Sequence, residues 1–408
     1  MSHKLLFLDQ FGTLGGGQRV LLETLKSLDH AQYQPIVALG TRGDFRERLL
    51  DEGIPVMELP LGSYRSGKKT PLDMVRFFFR SLYCASVLTG WVLRRRPSLL
   101  FANGPRTFVC ATLAGWLTRR PVIWHLHNVL PQGVELSLLA LFSRWVHTIV
   151  VCSRAAADPL LERRPNLQSK IRLIYNPIPC LKQPTPCDVD RLRESFGVQP
   201  KQICVGILGR VTPFKGQWYF LQAARLVLQQ TQQARFFVIG SPAADKADEE
   251  YYSQLRVTVE QSGMKNSVFF IEHQREVENF IAMMDVVVLA SQGPEALPQT
   301  ISEAMSMGKA IIAPASGGIP EIVDDGKTGL FAKVDEPEGL AAAMLKVIRE
   351  PHVLKSLGSN AQERISRHDS RETFGEAIHS TLTSCLTQEG VERSPASSEA
   401  ASMKGAIL

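Results

Sequence analysis

Along this chain, short unbroken runs of apolar, often β-branched residues alternate with longer stretches whose apolar positions recur every three or four residues. Leu5-Leu-Phe-Leu8, Ile149-Val-Val151 and Val286-Val-Val-Leu289 contain no polar position at all. A strand that is apolar on both sides is covered on both faces, as in a parallel sheet held between layers of helices. The pattern predicts strands at 4–8, 35–39, 98–102, 121–125 and 148–151 in the first half, with Val56–Leu59 a weaker one. In the second half it predicts strands near 203–208, 235–239, 267–271, 286–289 and 310–313. Strands alternating with helical stretches imply a doubly wound parallel-sheet α/β arrangement, here twice over.

Between the two halves the chain is proline-rich, with Asn176-Pro-Ile-Pro179 followed by Lys182-Gln-Pro-Thr-Pro186. The 408 residues are too many for one ordinary core and suit two domains with a tail. The expected division is 1–178 for the first Rossmann-like domain, 179–200 for a linker and 201–369 for the second domain. A closing helix is expected over 370–387, and a disordered tail rich in Ser, Ala and Glu over 388–408. Two such domains facing one another would leave a cleft lined by the carboxyl ends of both sheets.

The motif with the most chemistry is Glu295-Ala-Leu-Pro-Gln-Thr-Ile-Ser-Glu303. It follows the strand at 286–289 through Ser291-Gln-Gly293-Pro294 and runs into a helix that ends at Gly308. Pro298 sits where the missing N–H costs nothing. Two carboxylates eight positions apart thus lie at the carboxyl end of a strand and the positive end of a helix, where open α/β sheets bind phosphorylated ligands. Each can hold a polyol through paired hydroxyl hydrogen bonds, although glutamates in a first turn also suit the helix dipole. A second turn, Gly209-Arg210 to Lys215-Gly216, places a guanidinium and an ammonium beside a helix start. That combination suits a diphosphate, and its glycines let a ligand approach the backbone.

These two turns resemble those of the retaining glycosyltransferases of family 4, two-domain enzymes of the GT-B fold, and the resemblance covers roughly residues 4–385. It implies that Arg210 and Lys215 hold the nucleotide diphosphate, that Glu295 contacts the donor sugar and that Glu303 contacts the ribose. Leu297, Pro298, Gln299 and Thr300 would line the donor. Gly12-Thr-Leu-Gly15-Gly16-Gly17 resembles the family's flexible glycine loop facing the diphosphate, which makes Gly15, Gly16 and Gly17 substrate-binding. Trp124-His125-Leu126-His127-Asn128 matches its His-bearing loop, with His127 at the sugar and His125 competing for that role. Many members carry Phe-Gly where this chain has Leu297-Pro298, and the proline removes one backbone donor. The implied activity is metal-independent, retaining transfer of a hexose from a UDP- or GDP-linked donor, with no cofactor beyond that co-substrate and no dedicated nucleophile.

Charge adds a possible partner. Residues 1–180 carry 23 Lys/Arg against 12 Asp/Glu, a net +11, and the remainder is at −5. Within the basic half, Leu72–Arg80 leads into an uncharged run, Ser81–Leu93, closed by Arg94-Arg-Arg96, with Arg65, Lys68 and Lys69 upstream. Basic residues flanking an amphipathic apolar stretch fit attachment to an anionic membrane surface, and the run is too short to span one. A core helix with a solvated basic end is the competing reading. The acceptor is expected to be a glycan or lipid-linked precursor at the inner membrane face, and no nucleic-acid partner is expected. Seven cysteines without metal or disulfide spacing suit a cytoplasmic setting, and the amino terminus lacks signal-peptide anatomy.

Other function classes remain to be weighed. A sugar-nucleotide epimerase of the same fold needs a carboxylate pair in the first domain, for which Asp9 is a candidate without an obvious partner. A non-catalytic nucleotide- or membrane-binding protein would keep the scaffold alone. The loops at 40–70, 103–108 and 128–136, where acceptor choice is expected, carry no readable signature. Asp188-Val-Asp190 has metal-pair spacing but lies in the proline-rich stretch. Gly12 to Gly17 lacks the spacing of a dinucleotide fingerprint, which removes an NAD-dependent oxidoreductase.

Overall fold

The computed structural model describes residues 2–62, 71–178, 181, 183–242, 246–272, 274, 276–367 and 371–392. The chain divides into two compact units, 1–175 with 371–408, and 176–370.

The first unit is built on seven parallel strands: β1 (His3–Asp9), β2 (Tyr33–Leu39), β3 (Val56–Glu58), β4 (Leu99–Asn103), β5 (Val122–Leu126), β6 (Thr148–Val151) and β7 (Ile171–Leu173). Their order across the sheet is β3-β2-β1-β4-β5-β6-β7. The second unit has six parallel strands: β8 (Ile203–Leu208), β9 (Ala234–Ile239), β10 (Val268–Ile271), β11 (Val286–Val288), β12 (Ala310–Ala313) and β13 (Gly329–Phe331). They are ordered β10-β9-β8-β11-β12-β13. Each sheet therefore reverses direction beside its first strand, between β1 and β4 and between β8 and β11. A doubly wound sheet opens a crevice at that point, outside the carboxyl ends of its strands.

The apolar runs become the middles of these sheets. Leu5, Leu6, Phe7 and Leu8 are all fully buried, as are the two faces of β4 and β5, because helices cover both sides. In the first unit Phe7, Leu21, Val37 and Phe101 share one core cluster with Phe374, Ile378 and Leu382. Those last three come from a closing helix, Arg371–Glu392, which runs on past residue 387 into the stretch expected to be disordered. Its first residue pairs with Glu23 at 2.9 Å. Residues 393–408 lie outside the described residues. The second unit has its own cluster, including Val205, Phe220, Phe236, Val286 and Ile312.

Several elements differ from the sequence reading. The two strands it omits, β7 and β13, are three residues long and stand at sheet edges, where one partner and one covered face suffice and no apolar run is needed. The stretch 179–200 contains a helix, Pro186–Ser195, and Asp188 acts at its start, accepting from the Thr185 hydroxyl at 2.6 Å. Strands β4 and β5 end one residue later than expected, which brings Asn103 and Leu126 into the sheet. The stretches 40–70, 103–108 and 128–136 hold the helix Asp44–Asp51, strand β3, and the starts of helices Pro105–Thr118 and Val134–Phe142. Arg65, Lys68 and Lys69 fall outside the described residues.

Candidate functional site

In the second unit the turn after β8 is held rigidly. The helix Gln217–Leu228 begins with Gln217, whose side-chain amide donates to the Arg210 carbonyl at 2.9 Å. Gly216 adopts φ +73°, and a Cβ there would stand 1.9 Å from the Ala290 carbonyl oxygen. Only glycine permits that approach. The neighbouring Gln292 N–H donates to the Phe214 carbonyl at 2.7 Å, so the turns after β8 and β11 are tied backbone to backbone.

This contact brings together side chains eighty residues apart. The Lys215 ammonium donates to both Glu295 carboxylate oxygens, at 2.7 and 2.9 Å. The two side chains are 20% and 13% exposed, so the pair is largely shielded from water while remaining reachable. Ser291 Oγ also donates to Glu295. The backbone of Glu295 is clamped from behind: its carbonyl accepts from Gly318 N–H at 2.9 Å, and a Cβ on Gly317 would come within 2.0 Å of the same oxygen. Arg210 stands exposed on the same turn, with no ion pair among the described residues. The helix Gln299–Ser306 follows, with Pro298 as an N-cap that offers no side-chain hydrogen bond. Its first backbone N–H groups, at Gln299 and Thr300, therefore lie at an uncapped positive end. Leu297 is buried and its carbonyl accepts from Asn176 at 3.4 Å, while Glu303 is only 4% exposed on the inner side of the helix.

The first unit's cluster is of a different kind. Asp9 ends β1 and Asn103 ends β4, paired in register at the point where the strand order reverses. Asp9 is completely buried. Its Oδ1 accepts from Phe11 N–H at 2.8 Å and Gln18 Nε2 at 2.7 Å, and its Oδ2 from Asn103 Nδ2 at 2.5 Å. Burial raises its carboxyl to about 6 despite those donors. His127 lies just past β5, and its Nε2 is 2.7 Å from Asn103 Oδ1. Burial pulls its imidazole down to about 4. His125, inside the strand, is held well below the ordinary imidazole range by its own burial and by His127, with the two rings 4.0 Å apart. Gly15 caps and Gly16 opens the helix Gly16–Lys26, and Gly15 N–H donates to Gln18 Oε1 at 3.2 Å. A Cβ on Gly17 would sit 3.3 Å from the His127 ring.

The structure thus brings Lys215 to Glu295 and sets Arg210, Gln299 and Thr300 on the same two turns. It gathers Gly17 and His127 in the other unit. No motif singles out Ser291, Gln18 or Asn103; Ser291 and Gln18 act through the folding of their own turns, and Asn103 through a partner 94 residues away. Asp9, weighed as an epimerase carboxylate, has both oxygens occupied by protein donors.

A two-unit α/β protein with a cationic turn and a paired carboxylate at the switch point of one sheet has the makings of a nucleotide-sugar enzyme. Comparison with known proteins gives the family. The description "Glycosyl transferases group 1" matches residues 188–364, and "Glycosyltransferase Family 4" matches residues 14–180. The chain belongs to the group 1/family 4 glycosyltransferases of the GT-B fold. It is similar to HepE of Anabaena, whose structure was solved in complex with UDP and glucose, at 25% identity and a TM-score of 0.81, over 94% of this chain and 100% of that one. It is 30% identical to the lipopolysaccharide 1,2-N-acetylglucosaminetransferase of Salmonella typhimurium over 142 residues, 34% of this chain and 37% of that protein. It is 28% identical to the trehalose synthase of Pyrococcus horikoshii over 186 residues, 44% of each. The chain spans between 37% and 63% of the length of the first three curated relatives it matches.

Proposed function

We propose that this chain transfers a hexose from a UDP- or GDP-linked donor to a glycan or lipid-linked acceptor, with retention and without a metal ion. The observation that carries this reading is the Lys215–Glu295 pair beside the exposed Arg210 at the switch point of the second sheet. An arriving diphosphate competes with Glu295 for the ammonium. Lys215 and Arg210 then face the departing charge, and the released Glu295 carboxylate accepts from sugar hydroxyls. The uncapped start of the helix Gln299–Ser306 adds backbone donors for phosphate oxygens. In the transfer the bond from the anomeric carbon to the phosphate oxygen breaks. The acceptor oxygen bonds on the same face, and its proton goes to the departing phosphate oxygen. The UDP bound by HepE supports uracil as the first base to test.

The membrane part of the proposal rests on the helix Pro71–Arg95. Ser81, Cys84, Leu88 and Val92 are buried, whereas Val75, Phe79, Leu82, Tyr83 and Leu93 form an exposed apolar stripe, with Phe79 at 65% and Leu93 at 62% exposure. Arg76, Arg80 and Arg94 border it, and no acidic residue occurs between 74 and 96. Such a face suits an anionic lipid surface. No helix among the described residues is long and apolar enough to cross a membrane.

A thermal-shift panel of UDP, GDP, ADP and their sugar conjugates, with and without magnesium, tests the donor reading. Saturation at a hundred times the dissociation constant adds about 2.7 kcal/mol. Silence across the panel would remove the donor site. For the membrane, replacing Arg94, Arg95 and Arg96 by Glu is expected to abolish co-sedimentation with anionic liposomes, and unchanged binding would refute that part.

A further inference from the structure

We propose that Asp9 and Asn103 are positioning residues for His127, fixing its ring as the Nε2–H tautomer so that the bare Nδ1 is the atom offered to a hydroxyl of the transferred sugar. The clause about the sugar rests on the function proposed above; the tautomer does not.

Hydrogen-bond bookkeeping carries the assignment. Asn103 Nδ2 is 2.5 Å from Asp9 Oδ2 and 3.2 Å from the Gly17 carbonyl oxygen. The carbonyl has no hydrogen to give, and an ionised carboxylate has none either. The amide must therefore turn its NH2 toward them, which leaves Oδ1 facing His127 Nε2 at 2.7 Å. An amide oxygen only accepts, so Nε2 carries the proton. Because burial keeps the imidazole neutral, Nδ1 has a lone pair and no hydrogen. That nitrogen is buried and meets no donor among the described residues. A buried acceptor left unpaired is costly, and a ligand hydroxyl would recover that cost.

Asp9 is held so that it cannot give way. Gln18 and the Phe11 N–H occupy Oδ1, leaving Oδ2 for Asn103. The chain Gln18–Asp9–Asn103–His127 thus transmits one donor direction from the first helix to the imidazole. His125 supplies no alternative lock, since both of its ring nitrogens are buried without a partner among the described residues. His127 would thus receive a hydrogen bond through Nδ1 and not donate one.

Long-range ¹H–¹⁵N spectra of the imidazoles in the full-length, ¹⁵N-labelled protein at neutral pH, without nucleotide, test this directly. Wild-type His127 is expected to show a protonated Nε2 and an imine-type Nδ1. In Asp9→Asn the new amide oxygen is claimed by Phe11 N–H and Gln18, so its NH2 faces Asn103. Asn103 turns over, and His127 switches to the Nδ1–H tautomer. A wild-type Nδ1–H tautomer would overturn the proposal even if the variant fails to fold, and so would an unchanged tautomer in a folded Asp9→Asn protein. Asn103→Ala, which removes the intermediary, is expected to show both tautomers; a single Nε2–H form there would likewise defeat it. These spectra need no donor, so a silent nucleotide panel leaves the tautomer assignment standing and removes only the sugar contact.

Discussion

The two units share a strand order and place their chemistry at the same point of it, yet they solve different problems there. The first unit gathers Asp9, Asn103, Gln18 and His127 into a buried network in which each hydrogen has a fixed direction. The second exposes Arg210 and holds Lys215 and Glu295 as a largely shielded ion pair. In the function proposed here, the first arrangement would orient a hydroxyl and the second would hold a diphosphate, so one fold, used twice, would separate orientation from charge stabilisation.

The contrast predicts unequal effects. The largest belongs to the second unit: Lys215→Ala or Glu295→Ala is expected to lower kcat by at least about 10²–10³-fold with the fold intact, by the usual worth of one charge-stabilising donor. Steady-state kinetics with circular dichroism checks this, and full activity in both variants would end the glycosyltransferase mechanism argued here. Next come Gly216→Ala and Gly317→Ala. Each would force a methyl to within about 2 Å of a carbonyl oxygen from a left-handed backbone, and a loss of about 2–3 kcal/mol is expected in denaturant titrations.

Gly17→Ala in the first unit meets the His127 ring edge at 3.3 Å and the Asn103 amide nitrogen at 3.9 Å. Stability should change by less than about 1 kcal/mol while transfer falls about tenfold, because in the proposed function the displaced ring would hold the sugar. A large stability loss instead would make that contact structural.

The smallest effect is a pH slope. Asp9 titrates at about 6 in the native protein against an ordinary 3.8, so the native state binds its proton first and gains stability as pH falls from 6 toward 4. His127, lowered from 6.5 to about 4, does the reverse: the unfolded chain is protonated first and stability falls across that window. The two partly cancel in the wild type. Asp9→Asn removes the compensating group, so urea titrations at pH 7, 6 and 5 should show a steeper acid loss in the variant. An equal slope would take the buried carboxyl out of the balance.

The sequence by itself determined the class of fold and the interior strands of both sheets. An unbroken apolar run such as Leu5–Leu8 has few uses other than a strand covered on both faces, and that information is local. It also carried the residue types of the two ligand turns, because Gly-Arg…Lys-Gly and the paired glutamates lie within short spans. The edge strands Ile171–Leu173 and Gly329–Phe331 were not legible. Half-covered strands accept mixed residues, and pairing with a neighbour is what makes them strands. Tertiary structure alone decided that Lys215 meets Glu295 across 80 residues and that Asn103 meets Asp9 across 94. Periodicity reports which face a residue turns toward the core. Which donor meets which acceptor depends on register between strands and on glycine contacts that let two backbones touch, and neither is written at any one place in the chain.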